Sequence, residues 1–346
     1  IELNPVTYDL VANRFADYAG NIADDPRVNY VNGDGRSFLA RSDDTFDIVW
    51  FPAPDSYAAT NAASSGAFVL SESYLYTQEA IEDSLDHLGG DGILAAQFGE
   101  FDYENKPNRT TRYVATARQA LADRGVEDPT DHILVATTPA VGFGTQLSTI
   151  LVKEEPFTEE QIEAFTSGLE PIEGSTLRYA PGQPVEGEPV SDVVTASDDE
   201  LDAFFEEYPF EVHAITDDGP FFWHFTTFGE VAGDFGRSVV ADDLEVAIGE
   251  RVLILLLLVA TAFAAVFLLL PFVAIRDIFV ALPQKGRSAI YFACLGFGFL
   301  FFEITLIQKL TLFLGYPTYS LTVTLASILL FTGVGALLSG RYKDRP

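Results

Sequence analysis

Between Val252 and Ile275 the chain runs 24 residues without a charged side chain, and no other feature restricts its architecture as much. A helix of that length rises about 36 Å, more than the hydrocarbon thickness of about 30 Å that about 20 residues suffice to cross. Two further stretches qualify. Ser288–Gln308 is apolar apart from Glu303 and its polar ends, and Thr318–Ser339 is uncharged throughout. The pattern predicts three transmembrane helices at about 252–275, 288–308 and 318–339, and therefore contact with a lipid bilayer. Their length and late position exclude a signal peptide. A carboxylate within a span costs about 2.5–3.5 kcal/mol on insertion scales and usually faces a bundle interior or a cavity. Glu303 is thus a membrane-buried polar candidate, either for function or for a buried hydrogen bond that fixes helix packing. Lys309, six residues on, suits snorkelling to the interface.

Charge divides the chain at the same place. Residues 1–250 carry a net −36 and residues 251–346 a net +5, so the two parts face different solvents. With 51 acids and five lysines, the acidic part repels itself at ordinary ionic strength, where screening reaches only about 8–10 Å. A halophilic source is the expectation. Nucleic acid is disfavoured as a partner, because phosphate contact needs basic clusters. The single cysteine, Cys294, excludes a disulfide or a thiolate metal site within the chain, and no metal is expected. A chain that begins at Ile1 and has no Met reads as an N-terminally truncated fragment.

Residues 1–155 alternate short apolar runs with amphipathic ones, the signature of an α/β domain around a mostly parallel sheet. Strands are expected at 27–31, 46–51, 92–98, 132–137 and 147–153, and helices at 6–19, 72–88 and 108–124. No helix separates the last two strands, so they should form an antiparallel hairpin at the sheet edge. Residues 156–250 read as an acidic extension and linker. It has a helix at 156–168 opened by Thr158, a Pro/Gly-rich loop "PIEGSTLRYAPGQPVEGEP" and a short acidic helix near 198–207. The aromatic segment "ITDDGPFFWHFTTF" reads as an apolar plug onto the sheet or the bilayer surface. Residues 251–346 are the membrane part.

Acids sit where an open α/β sheet binds ligands, outside the carboxyl ends of its strands. Glu2 ends the first visible strand, just ahead of Asn4-Pro5, a helix opening. Asp34 lies in "NGDGR", where Gly33 and Gly35 let a flat base approach the backbone. Asp55 follows "FDIVWF".

With "IELNP", "DPRVNYVNGDGRSFL", "FDIVWF" and "HLGGDGIL" the sequence resembles the class I S-adenosylmethionine-dependent fold, and within it the spermidine synthase (polyamine aminopropyltransferase) family. The stretches "DSYAATNAASSGAFVLSESYLYTQEA", "ITDDGPFFWHF" and "YFACLGFGFLFFEITLIQKLTLFLGYPTYSLTV" look like the membrane-integral, spermidine-synthase-like proteins of prokaryotes. The resemblance implies a Rossmann-like domain, incomplete at its N-terminus, followed by a transmembrane helix bundle. It also implies an S-adenosylmethionine or decarboxylated S-adenosylmethionine donor and a polyamine or other amine as acceptor. Glu2 would hold the ribose and Asp34, beside Gly33, the adenine amine. Gln97 matches a position near the bound amine. Tyr74 and Tyr76 could line the same cleft or pack a helix face.

One departure bears on the chemistry. The family carries "VDSxDP" after the strand at 46–51; aligned on Asp47, Pro52 stands at the first acid's position and Asp55 at the second. The acid that assists amine deprotonation is therefore absent, and Asp55 is the remaining catalytic candidate. Two functions follow: aminopropyl or methyl transfer by a membrane-anchored domain, or a non-catalytic nucleoside-sensing or scaffolding domain attached to transport or partner-binding helices. Topology pulls two ways. The basic residues of loop 276–287 and of the tail share one side, which the positive-inside tendency makes cytoplasmic, leaving the soluble domain outside. A nucleoside made in the cytosol places that domain in the cytoplasm, the expectation carried forward.

Overall fold

A computed structural model describes residues 1–52, 72–100, 102–139, 146–233, 235–236, 248–281, 283–314 and 317–339. The chain divides into two compact units, Asp43–Phe263 and Ile1–Ser42 with Ala264–Pro346.

The unit Asp43–Phe263 is built on a mixed five-stranded sheet in the order β1-β2-β4-β3-β5, with β1 Phe46–Pro52, β2 Leu88–Glu100, β3 Ile133–Pro139, β4 Gln146–Val152 and β5 Thr176–Tyr179. β1 and β2 are parallel, placing Pro52 beside Gln97 at their carboxyl ends. The expected hairpin is present, β3 antiparallel to β4. It does not form the edge, because β4 lies between β2 and β3 and β5 pairs with the far side of β3. β5 comes from the stretch expected to be loop. The physical reason is its side chains: Leu177, Tyr179 and Ala180 add apolar surface, and Tyr179 and Ala180 are fully buried, which outweighs the Pro and Gly flanking them. Along β1, Ile48 and Trp50 are 61% and 58% exposed while Val49 between them is buried, the period-2 alternation of a strand with one covered face.

Helices α1 Pro5–Asp9 and α2 Gly35–Leu39 belong to the other unit and are taken up below. In the sheet unit, α3 Gln78–Asp86 starts later than its periodicity suggests. Thr77 caps it, accepting from Ala80 N–H at 3.3 Å, and residues 73–76 turn instead, tied by Ser73 N–H to the Pro220 carbonyl at 2.8 Å. α4 Asn108–Asp123 packs under the sheet with most of its residues buried, Arg109 and Arg112 included. α5 Glu159–Leu169 has the capping box of Thr158 and Gln161, the reciprocal pairing that satisfies two orphan N–H groups. α6 Pro189–Thr195 and α7 Asp198–Glu207 follow, then α8 Phe228–Gly233.

The core between sheet and helices is aromatic. Phe222 stacks on Phe98 with centroids 5.1 Å apart, Tyr76 meets Phe222 at 4.6 Å, and Tyr113 meets Phe98 at 5.2 Å. Segment 221–228 therefore does plug the sheet, and Tyr76 is core. Full burial of one such ring contributes about 1.5–3 kcal/mol.

In residues 1–42 the strand expected at 27–31 is not formed; one parallel bridge, Glu2 to Asn32, stands in its place. Asp25 takes both the Arg27 N–H, at 2.9 Å, and the Arg27 guanidinium. This local side-chain turn competes with an extended ladder. The helix expected over 6–19 is α-helical only through α1 and continues as a π-helical turn, Leu10–Arg14.

Three helical stretches are long and apolar enough to cross a membrane, by length and composition: Gly249–Ala274, Lys285–Thr311 and Tyr319–Ser339. The first comprises α9 Ile248–Ala264, a π-helical turn Ala265–Leu269 and α10 Leu270–Ala274. Pro271 has no N–H to continue the ladder and crowds the carbonyl four residues back, which accounts for the π turn just before it. α11 Arg276–Ala281 precedes the antiparallel pair α12 Lys285–Leu314 and α13 Pro317–Ser339.

Candidate functional site

Two groups of residues answer to the expected site, one in each unit. In residues 1–42, Glu2 N–H donates to the Val31 carbonyl at 2.9 Å and Gly33 N–H to the Glu2 carbonyl at 3.0 Å. The Asn32 amide closes on the same carbonyl at 2.7 Å. These bonds hold Glu2 and Asp34 at the same end of two adjacent parallel segments. Each acid then opens a helix. Glu2 Oε1 accepts Asn4 N–H at 2.7 Å, and Asn4 caps α1 by accepting Val6 N–H at 2.9 Å. Asp34 caps α2, its Oδ1 accepting Ser37 N–H at 2.8 Å. The second oxygen of each carboxylate has no hydrogen-bond donor among the described residues. A Cβ placed on Gly33 would meet nothing within 4 Å, so the backbone is open there.

Beside Glu2 stands a feature the sequence reading passed over. Tyr8 and Tyr30 stack with centroids 4.9 Å apart and planes at 13°. Burial, then the neighbouring charge of Glu2, pushes the Tyr30 phenol above its ordinary pKa. The available signal was Tyr8 one helical turn after the capping Asn4. Two carboxylate oxygens and an aromatic pair can accept hydrogen bonds from hydroxyl or amino groups and flank a flat ring.

In the sheet unit, Gln97 lies at the carboxyl end of β2. Trp50 Nε1–H donates to its Oε1 at 3.3 Å, and its Nε2 donates to Thr149 Oγ1 at 3.0 Å, so both ends of the amide are engaged across three neighbouring strands. Opposite it, Pro52 offers no titratable group. Tyr74 is half-buried in the turn before α3, and its carbonyl accepts from Thr77 Oγ1 at 3.3 Å. Asp55 lies outside the described residues. At the end of β2 the buried Glu100 receives both Thr110 N–H, at 2.8 Å, and the Thr110 hydroxyl, at 2.9 Å, which holds it as a structural acceptor. A depression of about 250 Å³ lined by Gly89, Gly90, Gly92 and Lys153 lies at the opposite, amino end of β2, away from these groups.

Two buried arginines organise the loops around this end. Arg112, 2% exposed, donates to the carbonyls of Phe222 at 2.7 Å, His224 at 2.9 Å, Phe221 at 3.2 Å and also Glu211. Its guanidinium carbon lies 4.6 Å from the Phe225 ring centroid. Burial works against its charge and lowers its pKa. Arg178 donates to Thr137 Oγ1 at 2.9 Å, to Glu104 Oε1 at 2.5 Å and to Glu188 Oε2 at 3.2 Å, over the Tyr103 ring. The two acids respond in opposite directions. Hydrogen bonding from Arg178 lowers the Glu104 pKa, whereas burial raises that of Glu188 despite the same arginine. Apolar periodicity carries no trace of Arg112, because α4 is buried on nearly every face.

Glu303 falls on α12, half-buried. No cluster of three or more His, Cys, Asp or Glu suited to a metal occurs among the described residues.

No family model and no curated protein matches the chain. Among solved structures it is similar to spermidine synthase from Thermotoga maritima, at 16% identity and a TM-score of 0.31, over 58% of this chain and 59% of that one. It is also similar to a spermidine synthase in complex with the transition state analogue AdoDATO, at 15% identity and a TM-score of 0.30, over 58% of each chain. The match spans less than two thirds of either structure.

Proposed function

We propose that the chain is a membrane-anchored, spermidine-synthase-like protein. Its Rossmann-like domain, residues 1–155 extended by 156–250, binds an S-adenosylmethionine-type nucleoside, intact or decarboxylated, and passes the aminopropyl or methyl group to an amine. The observation that carries this reading is the Glu2–Asp34 pair, two carboxylates at one end of adjacent parallel segments, each steadying its own turn through one oxygen and keeping the other for a ligand. Glu2 accepts from the ribose hydroxyls and Asp34 from the adenine amine, with the open backbone at Gly33 against the base.

In the transfer, the amine nitrogen attacks the carbon bonded to the sulfonium. A C–N bond forms, the C–S bond breaks, and a neutral thioether leaves. The amine must shed a proton, and base assistance of this kind is typically worth about 10²–10⁴-fold. Asp55 is the candidate base; Gln97 and Tyr74 are candidates for contact with the amine. The domain works at the cytoplasmic face of the bilayer.

Pro52 favours a second reading. β1 ends on a residue that cannot take a proton, directly beside Gln97, as suits a domain that senses the nucleoside or scaffolds the helices without catalysis.

Calorimetry on the full-length protein in detergent and molar salt tests the shared premise. Glu2→Ala and Asp34→Asn should each weaken nucleoside binding by about 1.5–3 kcal/mol, the worth of a hydrogen bond to a charged group. Asn caps a helix as well as Asp does, so a loss in the second variant belongs to the ligand and not to α2. Absence of nucleoside binding by the wild type would end both transfer and sensing and leave scaffolding alone.

A further inference from the structure

The pair α12–α13 carries a polar level in the seam between its two helices. The Ser320 hydroxyl donates to the Ile307 carbonyl, and this contact fixes the antiparallel register. Four residues back along α12 and four forward along α13 bring Glu303 and Thr324 to one height. They also share the packed seam. Glu303, Leu306, Ile307 and Leu310 are half-buried at helical spacing on α12. On α13, Ser320 and Thr324 are 0% and 2% exposed.

Thr324 departs from the usual habit of a hydroxyl in a membrane helix. Thr311 donates to the carbonyl four residues back, at 2.8 Å, the ordinary way to satisfy such a group. The Thr324 Oγ1 is buried without any hydrogen-bond partner among the described residues. Glu303 likewise has no hydrogen bond or ion pair there. Lys309 does not serve it: six residues further on, it projects about 120° round the helix. A carboxylate and an unmet hydroxyl thus stand at one height of the seam between two helices long and apolar enough to cross a membrane.

We propose that Glu303 and Thr324 form an intramembrane site for a monovalent cation. Both supply oxygen donors, the ligands that hard cations take. One carboxylate balances one positive charge, whereas a divalent ion would leave a net charge in the hydrocarbon, which is costly. A proton meets the same condition, residing on the Glu303 carboxyl and donated to Thr324 Oγ1. The site is independent of the nucleoside reading, since it needs nothing from the sheet unit.

The test is labelling of Glu303 by dicyclohexylcarbodiimide, which reacts with protonated carboxyl groups shielded from water. The intact protein in lipid nanodiscs is titrated at fixed pH with Na⁺, K⁺ and methylammonium, and then with pH alone, and the adduct is followed by mass spectrometry. Labelling should occur at Glu303, vanish in Glu303→Gln, and slow about fivefold or more, saturably, with one of the cations, as for two ligands competing for a site. Thr324→Val, checked for unchanged helix content, should raise the protecting concentration by a similar factor. Dependence on pH alone, with its midpoint shifted by Thr324→Val, assigns the site to the proton. No labelling at Glu303, or cation and pH dependence identical in wild type and Thr324→Val, overturns the proposal.

Discussion

Arg112 reaches from α4 to the Phe222 carbonyl, 2.7 Å away, and through it fastens the aromatic plug to the sheet. Its other bonds run to the carbonyls of Phe221, His224 and Glu211, so a single side chain fixes the course of residues 211–224. Replacing it strands several buried acceptors at once. Arg112→Leu should lower stability by about 3 kcal/mol or more, since hydrogen bonds to charged groups contribute about 1.5–3 kcal/mol each. Arg112→Lys should recover little of that loss, because an ammonium lacks the planar fork. Denaturant midpoints by far-UV circular dichroism measure both, and a midpoint unchanged in Arg112→Leu would refute the assignment.

The acids around Arg178 should give the fold opposite pH responses. Glu104 titrates below its ordinary value in the folded chain, so its contribution is present above about pH 4.3, the unfolded value, and is lost as pH falls through the lowered pKa. Glu188 titrates above its ordinary value. Its contribution is complete below about pH 4.3 and is lost as pH rises through the raised pKa. Stability profiles should therefore show a shallower acid limb in Glu104→Gln and a smaller fall of stability above about pH 4.3 in Glu188→Gln. Profiles superimposable on wild type in both variants would count against the network.

Salt should decide whether the acidic part, residues 1–250, folds at all. With a net −36 over residues 1–250, lowering ionic strength from molar to dilute lengthens the screening distance from about 3 Å to beyond 10 Å. Unfolding or aggregation should follow below molar salt, read by circular dichroism and light scattering. Identical spectra across that range would remove the halophilic expectation.

Catalysis and sensing separate at Asp55 and Pro52. If the domain transfers an aminopropyl group, Asp55→Asn should abolish turnover and spare nucleoside affinity, the pattern of a group that acts in the transition state. If the domain only senses, the wild type will bind nucleoside without turnover, and Pro52→Asp could restore some. The assay is product formation from decarboxylated S-adenosylmethionine with a panel of polyamines. Full turnover in Asp55→Asn would show the chemistry to be elsewhere.

What the sequence disclosed and what it withheld follow from the same physics. β1 to β4 and the three long apolar helices were legible because runs such as "FDIVWF" and "VLILLLLVATAFAAVFLLL" announce a strand or a long helix by length and composition alone. The Thr158 capping box was legible as a local pattern. β5 was not, since Pro and Gly around "TLRY" signal a loop and only pairing with β3 makes the segment a strand. Nor were Arg112 and Arg178, whose burial depends on carbonyls and carboxylates about 75–110 residues away in the chain. Of the candidate site, the Glu2 and Asp34 positions were readable from their turns, whereas the Tyr8–Tyr30 stack was not, because it joins two segments whose pairing is a single bridge.

The two tryptophans of the chain make the sheet unit its own optical probe. Trp50 is exposed and tied to Gln97, so its emission should lie to the red and yield to acrylamide. Trp223 sits in the aromatic plug with the Arg109 guanidinium 5.0 Å from its ring, which should shift its emission to the blue and shield it from quencher. An occupant arriving beside Gln97 would therefore dim one band and leave the other, while loosening of the plug would do the reverse.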